Sequence, residues 1–100
     1  MLTAAGNINR PYETIGVIHA VVARPAKDPG CSGGGGLPIQ EAFDAVLNIL
    51  KDSATKSGGD GLIHVSYDYR VASTTVGCNN SKAVFEVYGW GTVIRLLPEA

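Results

Sequence analysis

Two cysteines, Cys31 and Cys78, are the residues of this 100-residue chain best suited to soft-metal or redox chemistry. A thiolate binds thiophilic ions and exchanges disulfides, and an exposed thiol in a flexible setting is the accessible kind. Cys31 sits in the glycine-rich run PGCSGGGGL and Cys78 in the turn-forming stretch TTVGCNNSK. If both stretches lie at one end of a sheet, Cys31 could reach Cys78 of its own or a neighbouring subunit and form a two-thiolate site. The alternative is two incidental loop cysteines, since neither C-x-x-C spacing nor an adjacent histidine is present.

His19 and His64 could serve as ligands or proton carriers, or as hydrogen-bonded sheet histidines. With one strand between theirs, the two rings stand roughly 10 Å apart, too far to share an ion. Asp68, between Tyr67 and Tyr69, and Glu86 could do acid–base work; Glu86 could equally form a cross-strand polar pair with Arg70 or Asp68. Gly33 to Gly36 lack the G-x-x-x-x-G-K-[ST] arrangement, so they form no phosphate loop. Trp90 with Tyr88 could line a pocket between subunits or simply pack there. No nucleophile, base and orienting group stand in a recognisable set, and no catalytic residue is assigned.

The elements that must position these residues are one helix and three strands in a single domain spanning residues 1–100. Residues 13–24 (ETIGVIHAVVAR) are rich in Val and Ile and stop at a proline, predicting a first strand. Residues 25–37 hold two prolines and five glycines and predict a loop. Pro38 suits a first helical position and Glu41 the positive end of the helix dipole. Ile39, Phe43, Val46, Leu47, Leu50 and Ala54 then recur at three- and four-residue steps, predicting a helix over 38–57 that a left-handed glycine of Ser57-Gly58-Gly59 closes. Residues 62–73 (LIHVSYDYRVAS) alternate at period two, and residues 83–97 (AVFEVYGWGTVIRLL) read as a third strand whose Gly89 and Gly91 mark a bulge or a close backbone contact. A crossover helix makes the first two strands parallel, and the hairpin makes the third antiparallel to both. The predicted fold is α+β: a β-α-β-β two-layer protomer with a three-stranded sheet in order 1-3-2 and one helix across a face.

Composition excludes some partners and suggests another. Eight Lys+Arg against nine Asp+Glu give a net charge of -1, without the basic excess that phosphate backbones or anionic lipids attract. Nucleic acid and membrane are therefore not expected partners. No apolar run approaches the length of a membrane span, no charged n-region with an apolar core opens the chain, and two cysteines suit a reducing cytoplasm. Charged residues make up only 17% of the chain. Ile15, Val17 and Val21 of the first strand fall on one parity and Ile18 and Val22 on the other, so both sheet faces are apolar while one helix covers one. Leaving several such side chains in water forfeits roughly 1.5–3 kcal/mol each. This predicts a symmetric, ring-forming homo-oligomer; the alternative is that the N-terminal dozen residues fold over the open face.

Residues 54–69 (ATKSGGDGLIHVSYDY) resemble the helix end, Gly-Ala-Asp-like turn and following strand of the YbjQ-like family, and Gly91-Thr92-Val93-Ile94-Arg95-Leu96 resembles its last strand. The likeness runs from about Glu13 to Leu97. It implies the two-layer protomer in sheet order 1-3-2, a homopentamer, and a heavy-metal-binding role for which it supplies no position-matched ligand set. The expected function is a non-enzymatic, homo-oligomeric small binding protein, for a soft metal or thiophilic ion held by Cys31 and Cys78. A structural or partner-docking ring without ligand chemistry, and a small enzyme with an intersubunit cleft, are the other two readings.

Overall fold

The computed structural model describes residues 1–25, 39–75 and 81–98. Its elements are β1 (Leu2–Thr3), β2 (Tyr12–Pro25), α1 (Ile39–Lys56), β3 (Gly61–Thr75) and β4 (Ser81–Leu96). The sheet corrects the three-stranded expectation: it has four strands, in order β1-β3-β4-β2. The additional strand, β1, has two residues and pairs parallel with β3, Leu2 with Gly61 and Thr3 with Leu62. So short a strand carries no alternation of its own and owes its form to the ladder beside it. β4 runs antiparallel to both β2 and β3, so the sheet is mixed and β2 and β3 point the same way.

The helix buries a line of Ala42, Val46, Leu50 and Ala54, with Ile39, Phe43 and Leu47 partly buried beside it. Steps of four place this line on one face, and its two alanines thin the helix where it meets the sheet. On the sheet side Val22, Leu62, Val65, Val87 and Val93 complete the core. Gly89 is part of the fit: a Cβ there would collide with Val46 Cγ1 and lie 3.3 Å from Leu50 Cδ1. The pair of glycines in β4 thus marks close approach, whereas the bulges lie in the neighbouring strands, between Thr14 and Gly16 of β2 and between Ile63 and Ser66 of β3. The helix ends in a Schellman turn, with Gly58 at φ 82° and bonds from Gly59 N–H to Ala54 C=O (2.9 Å) and Gly58 N–H to Thr55 C=O (3.0 Å).

Residues 1–11 follow one end of the sheet. Ala4 N–H donates to Leu62 C=O, Val65 N–H to Ala4 C=O, His64 N–H to Gly6 C=O, and Leu97 N–H to Pro11 C=O. Near them Ile63 and Ile94, on the side away from the helix, are buried. The other reading of the N-terminal dozen is therefore met at one end of the open face and not beyond it. An 18-residue helix spans about 27 Å and a 16-residue strand about 53 Å, so the hairpin outruns its cover. The molecule is correspondingly long, 63 × 19 × 16 Å.

Gly89→Ala should lower unfolding stability by about 1–3 kcal/mol through overpacking, with Val46→Ala in the same chain recovering part of the loss. Gly16→Ala, whose Cβ meets nothing within 4 Å, should stay within about 0.5 kcal/mol of the parent. Urea midpoints at constant slope measure both, and equal effects at the two glycines would contradict the close-packing account.

Candidate functional site: the uncovered sheet face

Strand alternation sorts β2 into two sets. Ile18, Ala20 and Val22 turn to the helix, while Val17, His19 and Val21 turn away. On β4 the same rule points Glu86, Tyr88 and Trp90 away from the helix, and on β3 Ser66, Asp68 and Arg70. Register then lays out rows across the open face: His19 beside Trp90 beside Ser66, and Val21 beside Tyr88 beside Asp68. Val17 is 67% exposed, Val21 56% and Trp90 41%. Val17, His19, Val21, Asp68, Tyr88 and Trp90 line an open concavity of about 850 Å³ that also takes in Ala20, Gly89 and, from the helix, Ile49.

Glu86 is held, not free. Arg70 Nη2 donates to its Oε1 at 3.0 Å and its Oε2 at 3.2 Å, and the Tyr88 hydroxyl donates to Oε2 at 3.1 Å. These bonds, Arg70 first and Tyr88 second, hold the Glu86 carboxyl below its ordinary value of 4.5. Of the two partners considered from sequence for Glu86, Arg70 is the one it takes; Asp68 stands across from Tyr88 and accepts the Tyr69 N–H at 2.8 Å.

His19 and His64 are not brought together. His19 lies on the open face, on the far side of β4 from β3, whereas His64 sits in the β3 bulge at φ 53°, exposed. Among the described residues no group of three His, Cys, Asp or Glu side chains could hold a metal ion. Cys31, Cys78, Gly33 to Gly36 and Pro38 lie outside the described residues. The strands that lead to the two cysteines converge at one end of the sheet: Pro25, the last residue of β2, pairs with Val84, and Thr75 pairs with Ser81 at the close of the β3–β4 hairpin.

One cluster escaped the sequence reading. Phe43 meets Tyr67 and Tyr69 edge-on, with ring centroids 5.4 and 6.1 Å apart. Partial burial, and then the Asp44 carboxylate, push the Tyr67 hydroxyl above its ordinary value. The helix lies mainly over β2 and β4, so Tyr67, Tyr69 and Val71 on the helix side of β3 remain exposed. The phase of Phe43 on the helix and the tyrosine alternation on β3 were visible separately; their meeting depends on where the helix crosses the sheet.

The fold and site define an α+β scaffold with a helix on one sheet face and an aromatic, apolar surface on the other. No helix is long and apolar enough to cross a membrane among the described residues. No family model matches the chain, and no curated protein does. The chain is similar to a solved structure from Pediococcus pentosaceus, a protein of unknown function in the DUF74 family, at 24% identity and a TM-score of 0.70 over 97% of this chain and 98% of that one. DUF74 is the YbjQ-like family, and the likeness carries the fold.

The Glu86 carboxyl should titrate below 4.5 by side-chain NMR and move upward in Arg70→Ala. Because its folded value is depressed, its contribution to stability is present above the unfolded value and lost as pH falls through the folded one. Glu86→Gln should remove that part of the acid dependence, and an unshifted Glu86 would contradict the ion-pair account.

Proposed function

We propose that this chain is a non-enzymatic binding protein that works as a homo-oligomeric ring, with the uncovered sheet face closed by copies of itself. The observation that carries this reading is the exposure of Val17, Val21 and Trp90 together on one face of a sheet whose helix packs on the other. Large contiguous apolar surface on a soluble domain marks an interaction site. The YbjQ-like resemblance implies five copies, and a low charge content suits a chain much of whose surface meets its own kind. Sedimentation at micromolar concentration should give a multiple of the 10.4 kDa protomer, and Val17→Lys with Val21→Lys should give a folded chain of protomer mass. A parent chain that sediments as a lone protomer overturns the proposal.

A soft-metal role for Cys31 and Cys78 is the second reading. It is favoured by the convergence of the Pro25 and Thr75 strand ends, from which Cys31 is six residues away and Cys78 three. Each ring would repeat the thiol pair once per subunit. Copper(I) or zinc added to the native assembly should raise its mass by a fixed number of ions, and Cys31→Ser with Cys78→Ser should abolish the increase. Equal uptake by the double variant removes the thiol site while leaving the assembly untouched.

A further inference from the structure

The concavity on the open face carries charge of one sign. Its lining holds the Asp68 carboxylate and no lysine or arginine, beside apolar and aromatic groups and the His19 imidazole. Arg70, two residues along the same strand face, is committed to Glu86. Asp68 is exposed, and its Oδ1 accepts the Tyr69 N–H at 2.8 Å. Among the described residues no ion pair and no second hydrogen bond takes this carboxylate, which leaves an oxygen for a donor from outside. The floor beside it is aromatic. Trp90, 41% exposed, stands between His19 and Ser66 in one row, and Tyr88 stands between Val21 and Asp68 in the next. The Tyr88 hydroxyl donates to Glu86, so its ring is the part offered to a ligand. Diagonal neighbours on adjacent strands lie about 7–8 Å apart, Trp90 and Asp68 among them. A flat ring stacked on Trp90, with an ammonium group on a short arm, spans that distance and meets Asp68.

We infer that the concavity binds a protonated aromatic amine, its ring over Trp90 and Tyr88 and its ammonium group on Asp68. The inference rests on the binding-protein reading above and names its ligand class; every group it uses comes from one protomer, so it does not need the ring of copies. Charge complementarity selects this occupant. An anion would meet Asp68 with no cation in the lining to hold it. A neutral hydrocarbon would cover Val17 and Val21 but take water from the carboxylate without pairing it. An aliphatic cation would pair with Asp68 and forgo the stacking surface of Trp90. The aromatic amine uses all three features, since its positive charge is also attracted by the faces of the Trp90 and Tyr88 rings. At about 850 Å³ the concavity has the size, and with its few polar groups the composition, of small-molecule sites.

Tryptamine, 3-ethylindole and indole-3-propionate share a ring and a short arm and are positive, neutral and negative at neutral pH. Calorimetric titration of the native chain should give tryptamine a dissociation constant about fivefold below that of 3-ethylindole, from ring–cation and ion-pair attraction at an open site. Indole-3-propionate should bind more weakly still. Saturable movement of the indole N–H resonance of Trp90, the single tryptophan, places the ligand. Asp68→Asn, which keeps an acceptor for the Tyr69 N–H, should bring tryptamine to the level of 3-ethylindole and leave 3-ethylindole unchanged. Trp90→Ala should weaken both, and if circular dichroism shows that variant unfolded, Asp68→Asn decides alone. Equal affinity for the three probes, an unmoved Trp90 resonance, or an Asp68→Asn chain that still prefers tryptamine overturns the inference. A lone protomer that prefers tryptamine overturns the ring and upholds this site, whereas an assembly indifferent to probe charge overturns this site alone.

Discussion

One helix must serve a sheet that is apolar on both sides, and the rest of the molecule follows from how it does so. Ala42 and Ala54 keep the helix slim at the ends of its buried line, and Gly89 opens a place for Val46 and Leu50. The helix therefore sits close over β2 and β4, and Val22, Val87 and Val93 are sealed beneath it. Closeness over those strands leaves β3 less covered, which is why Tyr67, Tyr69 and Val71 stay in solvent on the helix side. It also leaves Val17, Val21 and Trp90, of opposite parity and beyond the end that residues 1–11 follow, without a partner layer among the described residues, since packed side chains on one face do nothing for the dehydration of the other.

The bulge in β3 makes a second consequence possible. Between Ile63 and Ser66 an extra residue enters β3 opposite a continuous β4, and His64 takes φ 53°, a conformation that a side-chain-bearing residue adopts at some cost. In return two successive amides, of His64 and Val65, point out of the sheet and receive Gly6 and Ala4 carbonyls. The short β1 strand is thereby pinned, and Ile63 and Ile94 are shielded at that end. Beyond the bulge β3 returns to ordinary alternation with no strand beside it among the described residues, so the same irregularity that seats the N-terminal segment also marks where its pairing with β3 ends.

Much of this was legible in the sequence because it is periodic. Leu62 to Ser73 alternates strongly enough to show as a strand, Glu13 to Arg24 shows as one by its Val and Ile content and its stop at a proline, and Ser57-Gly58-Gly59 marks the helix end because only a residue free to adopt positive φ closes a Schellman turn cheaply. The two-sided greasiness of β2 was likewise readable from Val17 and Val21 against Ile18 and Val22. What escaped was relational. Leu2-Thr3 is too short to carry a period, and its pairing depends on a bulge some sixty residues away. The neighbours of Trp90 depend on register, which a one-residue bulge shifts, and register also decides which of the two partners read for Glu86, Arg70 or Asp68, it takes. Gly89 could be read as a bulge or a contact, and only the position of Val46 decides between them. The chemistry was least legible of all, since two cysteines at uninformative spacing specify neither partner nor ion.

The arrangement of polar groups on the open face bears on what that face is suited to do. Val17, Val21, Tyr88 and Trp90 lie at its centre beside His19 and Asp68, and the Arg70–Glu86 ion pair stands farther along the sheet, with the Arg70 side chain 65% exposed. Here the Glu86 carboxylate is committed to a guanidinium and a phenol, and that commitment depresses its affinity for a proton. Apolar and aromatic surface at the middle with a charged, solvated pair toward the border is a pattern common to protein surfaces that associate, because water leaves the centre at little polar cost while the border keeps its hydration, and it supports the self-association proposed for this chain.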